Sequence, residues 1–482
     1  MSMKEIRTAC NRDCPDGCSM IATVEDGRVV GLKGDPDHPV TRGFLCYRTN
    51  RFLNRQYHPD RVTTPMVREG ESFRQASWAE VLERIASDML RFREESGPGS
   101  ILHYQSGGSL GMMKHVTALF FERFGPTAVK SGDICSGAGE AAQVADFGVS
   151  DSSDLFDLLN SRTIVLWGKN PHAGNVHLIP VLKDAQARGA RVVLIDPVRH
   201  KGAGLADLVL QPRPGGDLAL VLGVAHWLSD HDGIDPEAGE YCDHLPEFLR
   251  LVRSRTREEW AAMADIPVGQ LEEFAGLYAD GPSSIQVGWG MQRRRNGGAI
   301  VRAVDALAAA SGNIGIPGGG ASFYFQRKAA YDLSFQQGPG CAPRRIPEHS
   351  LGRSILSADP AVRMVWVTCG NPVATLPDSH ATAEALKSRE LTVVVDSFLT
   401  DTARCADIVL PVTTMLEDDD LIGAYGNAYI AEVFPVVDAP GEVKTDYDIV
   451  RELAPRVGLN GDFHLSSRAW KERIAGEDRL KQ

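Results

Sequence analysis

One pattern of strand, loop and carboxylate occurs twice in this sequence, about 200 residues apart, and it constrains the fold more than any other feature. Each copy is an apolar strand running into a loop with glycine, asparagine and proline, then a strand that ends in aspartate, then Ala-Asp-x-Val-Leu. We call residues 163–210 the first copy and residues 364–410 the second copy. The loop and strand-end positions are Gly168, Asn170, Pro171, Asp196 and Pro197 in the first copy, and Gly370, Asn371, Pro372 and Asp396 in the second.

The spacing of the two copies agrees as well as their residue types do. The intervals from asparagine to strand-terminal aspartate differ by a single residue, and both intervals from that aspartate to the next are 11 residues. Strands that alternate with helical segments are typical of a parallel α/β sheet. The repeat therefore predicts two Rossmann-like α/β domains, for two related ligands or for one ligand and a relic.

The loops that follow the strands are the predicted ligand sites, because ligands of parallel sheets bind beyond the carboxyl ends of the strands. Glycine lets the backbone approach a phosphate, and the N-terminus of the following helix favours its charge. Asp196 and Asp396 are placed to accept hydrogen bonds from ribose or guanine; the alternative is that they only cap their loops. The loops at residues 214–217 and 287–290 are predicted to add cofactor contacts through Asp217, Gly288 and Gly290.

A group of cysteines near the N-terminus predicts a metal site. Cys10, Cys14 and Cys18 are evenly spaced, and Cys46 follows a segment whose Asp-Gly step predicts a hairpin turn. Four thiolates suit either structural zinc or a [4Fe–4S] cluster. Zinc ribbons use two separate pairs of cysteines, so three close cysteines with a distant fourth favour iron–sulfur. The odd total of nine cysteines does not suggest a disulfide framework.

A second candidate metal ligand is Cys135, at the centre of a glycine-rich segment, residues 131–139, that we call the Cys135 turn. A lone cysteine is more often a small buried apolar side chain than a ligand. The cysteine group before it and the two copies around it favour the ligand. Three arginines at residues 293–295 precede a long apolar helix; they predict a solvated face or a contact with an acidic group.

Composition excludes several classes of function. The formal net charge is −12 and the basic residues are dispersed, which argues against a nucleic-acid surface. No apolar run approaches the roughly 18 residues that a membrane helix needs. The N-terminus has neither a signal core nor a twin-arginine pair, so we expect a cytoplasmic protein.

Together these motifs resemble the molybdopterin oxidoreductase family, the molybdenum or tungsten bis(molybdopterin guanine dinucleotide) enzymes of the dimethyl sulfoxide reductase superfamily, such as formate dehydrogenases and periplasmic nitrate reductases. The resemblance covers nearly the whole chain and rests on residues 10–46, 77–80, 134–139, 167–171, 194–197, 370–372 and 400–411. It implies that Cys135 binds the metal and that each copy binds one pterin guanine dinucleotide. It also implies a [4Fe–4S] cluster, whose ligands are Cys10, Cys14, Cys18 and Cys46.

The resemblance implies an α/β fold with a small N-terminal cluster domain and two pterin-dinucleotide domains. The expected domains are residues 1–57, with 411–482 folding back toward them; 58–135 with 330–410; and the inserted 136–329. Relatives usually add a C-terminal β-barrel over the pterins; here we expect that domain to be absent, supplied by a separate chain, or truncated from a longer protein. Arg48 replaces a lysine that many relatives place between cluster and pterin. Ser136 replaces the histidine of formate dehydrogenases, which counts against formate.

The function implied is a two-electron oxidation or reduction, or oxygen-atom transfer, on a small molecule at the metal, with the cluster relaying electrons to or from a protein partner. The alternative is a non-catalytic electron-transfer or scaffold subunit of a larger redox complex. Retention of Cys135 and of both copies favours the enzyme. No acid–base residue is assigned, because His172 and His177 lie in a loop, where histidine more often serves the surface or packing. Four further cysteines are expected to be structural: Cys242, Cys341, Cys369 and Cys405.

Overall fold

The computed structural model describes residues 3–150, 152–323, 330–338, 341–342 and 344–476. The expected domain boundary at residue 329 and the end of the C-terminal segment fall outside these ranges. Among the described residues the strands form four sheets.

The N-terminal sheet is a three-stranded antiparallel meander. Its strands are β1 (Met3–Ala9), β2 (Ser19–Glu25) and β3 (Arg28–Gly34). Asp26 and Gly27 join β2 to β3, both with positive φ, at 48° and 77°. Two successive left-handed residues are the signature of a type I′ hairpin turn, so the hairpin predicted from Asp-Gly is confirmed. The short helices α1 (Tyr47–Asn50) and α2 (Phe52–Gln56) follow.

The largest sheet has eight strands, drawn from two separate stretches of the chain. Its first stretch supplies β4 (Met66–Glu69), β5 (Ser72–Gln75), β6 (Ile101–Gln105) and β7 (Ala128–Ser131). Its second stretch supplies β13 (Arg345–Pro347), β14 (Met364–Thr368), β15 (Leu391–Val395) and β16 (Ile408–Leu410). The order is β13-β7-β6-β14-β15-β16-β4-β5, parallel from β13 to β16 and antiparallel at β4 and β5.

The second α/β sheet has five parallel strands in the order β10-β9-β8-β11-β12. They are β8 (Thr163–Trp167), β9 (Arg191–Ile195), β10 (Leu208–Leu210), β11 (Ser283–Val287) and β12 (Gly320–Ser322). Every residue of β8, β11, β14 and β15 is buried, as expected for parallel strands covered by helices on both faces. The α/β prediction is confirmed.

Helices cover both faces of these sheets. The helices before β11 are α3 (Trp78–Ser96), α4 (Lys114–Phe124), α5 (Gly137–Phe147), α6 (Pro171–Gly174), α7 (Leu178–Ala187), α8 (Asp217–Asp230), α9 (Ala238–Tyr241), α10 (Leu245–Val252), α11 (Arg257–Ala264) and α12 (Val268–Ala279). Those after it are α13 (Gly297–Ala310), α14 (Leu351–Leu356), α15 (Pro372–Thr375), α16 (Ser379–Lys387), α17 (Asp446–Leu453) and α18 (Ser467–Ala475). Helix α3 shows the local logic: the Ser77 hydroxyl accepts from the Glu80 N–H at 3.2 Å, and its apolar stripe is buried.

The two copies fold alike. Each runs strand, one-turn helix, longer helix, strand, short 3₁₀ helix and strand, and each one-turn helix begins at the proline of its loop. Asp207 and Asp407 occupy equivalent positions: they accept hydrogen bonds from the N–H groups of Val192 and Thr392 at 2.8 and 2.7 Å. The repeat is therefore a repeat of structure.

The C-terminal segment contacts two parts of the protein. The hairpin of β17 (Asp420–Gly423) and β18 (Ile430–Val433) lies beside β1, where the Thr8 hydroxyl bonds both the N–H and the C=O of Phe434 at 3.0 Å. Helices α17 and α18 pack in the same core as α3 and α4, on the eight-stranded sheet. No helix in the described ranges is both long and apolar enough to span a membrane.

Candidate cofactor site

The four N-terminal cysteines lie together where the first sheet meets α1. The Cys10 N–H donates to the Cys18 carbonyl at 2.9 Å and closes the loop that carries Cys14. Cys46 immediately precedes α1, and the Thr49 hydroxyl lies 3.4 Å from the Cys46 sulfur and 3.7 Å from the Cys10 sulfur. The structure thus brings these four predicted ligands into one corner.

Burial controls the chemistry of these thiols. It raises the pKa of Cys10, Cys14 and Cys18, and the neighbouring cysteines add to the increase at Cys18. At Cys46 burial also acts upward, but hydrogen bonds from Thr49 outweigh it and the pKa is lowered. Four thiols in one corner are the donor set of a [4Fe–4S] cluster, in which each cysteine binds a different iron.

The Cys135 turn is held by side chains on both sides. The Asp133 carboxylate accepts from the Cys135 N–H at 2.5 Å. Gln292 donates from its amide nitrogen to the Cys135 carbonyl at 2.7 Å, and its amide oxygen accepts from the N–H groups of Ala138 and Gly139 at 2.8 and 3.0 Å. Gln292 therefore joins the start of α5 to the segment before α13. Sequence analysis gave Gln292 no role, because nothing local marks it.

Arg293 is the arginine of the 293–295 run that faces the thiol. Its guanidinium lies 3.0 Å from the Cys135 carbonyl and 3.5 Å from the Cys135 sulfur. Burial, and then the charges of Asp13 and Asp133, raise the pKa of Cys135 to about 11, and Arg293 opposes them. Arg293 therefore favours the thiolate, the form that binds metals.

The cysteine corner and the Cys135 turn meet at Asp13. Asp13 precedes Cys14 in the chain, and its charge acts on Cys135. Burial raises the pKa of Asp13, while a hydrogen bond from Tyr425 and the charge of Arg48 oppose the increase. The positive charge of the exposed Arg48 also offsets part of the increase in the pKa of Cys14. The two candidate metal sites are thus neighbours, with Arg48 close to the cysteine corner.

The loop of the first copy leaves a buried acceptor without a partner. Gly168 has a left-handed φ of 61° and donates its N–H to the Ile195 carbonyl at 2.7 Å. Pro171 starts α6, and among the described residues the buried side-chain oxygen of Asn170 has no hydrogen-bond partner. Buried polar atoms are usually satisfied, so this oxygen fits a ligand that donates to it.

The loop of the second copy differs in two respects. Cys369, with φ of 51°, takes the left-handed position that Gly168 has in the first copy, so Gly370 lies one residue further along. The side-chain oxygen of Asn371 accepts from the Thr402 hydroxyl at 2.7 Å and so has an internal partner. The two loops share their backbone course but not their polar contacts.

The two strand-end aspartates cap their own loops. Asp196 accepts from the Val198 N–H at 2.8 Å, and Asp396 accepts from the Phe398 N–H and the Thr400 hydroxyl, both at 3.1 Å. Burial raises the pKa of Asp396. Capping, the alternative weighed for these residues, is thus present in both copies; nucleotide binding by either one stays a prediction.

The remaining predicted cofactor residues differ in their surroundings. A Cβ on Gly288 would lie 1.8 Å from the Gly168 carbonyl oxygen, so a glycine is required where the two loops cross. Gly290 faces open space. Asp217 is buried and accepts from the Trp167 indole N–H at 3.0 Å. Pro197 is exposed beside Asp196. Cofactor contact by these residues stays a prediction.

His177 is a residue whose position sequence analysis missed. Its loop position predicts a surface or packing role, but it is buried at the start of α7, with its ring 3.7 Å from the Cys18 sulfur. Its sequence neighbours belong to the first copy, and only the packing of that copy on the cysteine loop reveals the contact.

Comparison with known proteins identifies the family. A family model described as molybdopterin oxidoreductase matches residues 61–456, and the molybdopterin oxidoreductase Fe4S4 domain matches residues 3–58. The chain belongs to the molybdopterin oxidoreductase family. The family predicted from the motifs is confirmed, and the Fe4S4 match covers all four N-terminal cysteines.

Individual relatives match most of the chain. The probable oxidoreductase YyaE of Bacillus subtilis is 34% identical over 475 residues, which are 97% of this chain and 71% of the relative. YoaE of the same organism is 33% identical over 467 residues, 94% of this chain and 68% of the relative. The solved structure of acetylene hydratase from Pelobacter acetylenicus has a TM-score of 0.83 at 21% identity, over 98% of this chain and 73% of that one, and shows the shared fold.

Membership of the family establishes the class of chemistry. The chain is a molybdopterin oxidoreductase whose cofactors are a [4Fe–4S] cluster and a molybdenum or tungsten molybdopterin. The residues present fit these groups. Four neighbouring thiols lie in one corner, and the Cys135 thiol lies beside the Arg293 guanidinium. The buried side-chain oxygen of Asn170 has no hydrogen-bond partner among the described residues. The comparisons favour the enzyme over a scaffold subunit.

Proposed function

We propose that this chain transfers two electrons, or an oxygen atom, to or from a small-molecule substrate at a metal bound by Cys135. In this proposal Cys10, Cys14, Cys18 and Cys46 hold the cluster. The loop residues of the two copies hold two pterin guanine dinucleotides: Gly168, Asn170, Pro171, Asp196 and Pro197 in the first copy, and Gly370, Asn371, Pro372 and Asp396 in the second.

The observation that carries the proposal is the meeting of the two thiol sites at Asp13. Asp13 lies in the cysteine loop, and its charge raises the pKa of Cys135, which belongs to a different part of the chain. A redox centre and a cluster that relays its electrons must be neighbours. The effect of the Asp13 charge on Cys135 supports that arrangement.

The bound metal supplies the exchange of electrons or oxygen with the substrate. The protein prepares its ligand: Asp133 and Gln292 fix the backbone of Cys135, and Arg293 stabilises the thiolate. Asp13 and Tyr425 form a hydrogen-bonded pair close to the thiol. Arg48 places a positive charge near the cysteine corner, where it favours an electron-rich cluster.

The electron partner in this proposal is a protein that docks near the cluster. Residence in the cytoplasm stays part of the proposal. Formate is disfavoured as a substrate because formate dehydrogenases have a histidine directly after the metal-binding residue. Here the buried Ser136 takes that position after Cys135.

The test is the composition of the protein purified without oxygen. The proposal expects about four irons per chain, together with molybdenum or tungsten and released guanine nucleotide in a ratio of two nucleotides per metal. A Cys135→Ser variant is expected to keep its iron and cluster spectrum but to lose the metal or its turnover. Iron without metal and nucleotide, even after cofactor supply, would favour the scaffold subunit.

A further inference from the structure

A buried ring of the first copy contacts the cysteine loop. His177 is the residue before α7, and its side chain is fully buried. Its Nδ1 lies 3.7 Å from the Cys18 sulfur and 3.1 Å from an Asp16 carboxylate oxygen. Its Nε2 lies 3.0 Å from the Phe44 carbonyl oxygen, and the Phe44 ring stacks on it at 4.1 Å.

The partners of the His177 ring are hydrogen-bond acceptors on both sides. The Phe44 carbonyl can only accept, so Nε2 must donate to it. Nδ1 faces a carboxylate and a cysteine sulfur, and both are acceptors when the sulfur is bound to iron. An iron-bound sulfur can only accept, so a hydrogen bond between Nδ1 and Cys18 has Nδ1 as its donor, shared with the nearer Asp16 oxygen.

The contact is built and held from both sides. The second carboxylate oxygen of Asp16 accepts from the Asn175 amide at 2.6 Å, and Asn175 belongs to the same segment as His177. The Asn427 amide donates to the Asp16 backbone carbonyl at 2.9 Å. Asp16, two residues before Cys18, is therefore fixed in place and in turn fixes the ring against the sulfur.

We propose that His177 is a positioning residue of the cluster: its Nδ1–H donates to the Cys18 sulfur and raises the cluster's reduction potential. Hydrogen bonds to cysteine sulfurs are among the factors that set the potential of an iron–sulfur cluster. Reduction adds negative charge, so a donor at the sulfur stabilises the reduced cluster more than the oxidised one. The inference rests on the proposed role of Cys18 as a cluster ligand.

Two substitutions at His177 distinguish the roles of its two ring nitrogens. His177→Gln places an amide near the position of Nε2 and removes the donor at Cys18, whereas His177→Asn places an amide near Nδ1. The matched control is His172→Gln, because His172 is an exposed histidine of the same loop. The midpoint potential of the cluster is measured in the oxygen-free holoenzyme by titration monitored by electron paramagnetic resonance.

In His177→Gln we expect the ratio of reduced to oxidised cluster at a fixed potential to fall about tenfold. This corresponds to a midpoint potential lower by about 59 mV. His177→Asn and His172→Gln should stay within about twofold of the wild type, about 18 mV by the same constant. An unchanged potential in His177→Gln with its iron retained would overturn the inference. Equal falls in the Gln and Asn variants would overturn it as well.

A measurement on the unmodified protein covers the case in which the variants lose their iron. With ¹⁵N-labelled histidine, pulsed electron paramagnetic resonance of the reduced wild-type cluster should show coupling to one histidine nitrogen. A wild-type cluster without that coupling would overturn the role of His177 and leave the proposed function standing. A wild-type chain without any [4Fe–4S] signal would overturn the ligand assignment and this inference together.

Discussion

At the scale of single residues, the proposed role of Cys135 as metal ligand makes the protonation of its thiol decisive for loading the metal. Burial, Asp13 and Asp133 raise its pKa to about 11, and the guanidinium of Arg293, 3.5 Å from the sulfur, acts the other way. Metal binding must displace the thiol proton, so every group that favours the thiolate favours loading. Arg293 is the residue that does so here.

Removing that guanidinium should raise the pKa of Cys135 further. In Arg293→Gln protein prepared without molybdenum or tungsten, we expect the pH midpoint for alkylation of Cys135 to rise by about one unit. The midpoint is measured by mass spectrometry of the Cys135 peptide after treatment with iodoacetamide at a series of pH values. Arg295→Gln is the control, since Arg295 is exposed in the same run. A midpoint that is the same in all three proteins would remove Arg293 from the site.

At the scale of elements, the helices that follow the Cys135 turn and Arg293 are joined by a buried carboxyl group. Asp305 of α13 accepts from the Gln143 amide of α5 at 2.9 Å, and its carboxyl group is within hydrogen-bond reach of that of Asp146. Burial raises the pKa of Asp305 to about 8, and the charge of Asp146 adds to the increase. Burial thus favours the protonated form of Asp305 where α13 meets α5.

This proton makes stability depend on pH. The unfolded chain releases it near pH 4, and the folded chain holds it to about pH 8, so the folded state binds more protons between these values. The contribution of Asp305 to the free energy of unfolding is fully present below about pH 4 and is lost as the pH rises through about 8. Asp305→Asn cannot lose this proton, so its stability should not fall in this way. Between about pH 4 and pH 8 its Tm should therefore rise relative to that of the wild type, by the equivalent of about 1 kcal/mol or more. The exposed Asp243→Asn is the control; a difference that does not change with pH would contradict this account.

At the scale of the whole molecule, a buried ion pair joins the N-terminal and C-terminal parts. The Arg61 guanidinium pairs with the Glu417 carboxylate through both of its terminal nitrogens, and both side chains are almost completely buried. The Gln56 amide of α2 donates to the same carboxylate at 2.5 Å. Glu417, which precedes β17, thus bonds to Arg61, which precedes β4, and to Gln56 near the end of the cluster domain.

Removing one partner of this pair should cost about 3–5 kcal/mol, because the other charge stays buried without compensation. We expect Glu417→Gln to lower the Tm and to expose the C-terminal segment to proteolysis, as followed by mass spectrometry. The double variant Arg61→Met, Glu417→Leu should regain most of the stability, since an apolar pair of similar volume leaves no buried charge. A double variant as unstable as Glu417→Gln would show that the charges themselves are needed.

The sequence predicts those features of this molecule that are local. The two copies are specified by strands of five residues and the loops after them, so the two parallel sheets follow from the pattern. The Asp26-Gly27 turn is equally local. Cys369 marks a limit: it takes the left-handed turn position that Gly168 has, so alignment by glycine alone places Gly370 one residue off.

Contacts between distant segments are what the sequence could not predict. Gln292 and Arg293 reach Cys135 across more than 150 residues, and His177 reaches Cys18 across 159. Each depends on how the first copy, the cysteine loop and α13 pack together, and no spacing within one segment encodes that. The ligands of a site are visible in the sequence when they share a motif; the side chains that tune them are visible only in the fold.

The central claim is that Cys135 is the protein ligand of the metal, and X-ray absorption at the molybdenum or tungsten edge of the loaded protein tests it most directly. Wild-type protein should show one sulfur neighbour more than Cys135→Ser, while Cys405→Ser, which alters a buried cysteine in the second copy, should match the wild type. Equal sulfur coordination in Cys135→Ser and wild type, with the metal retained, would contradict the account.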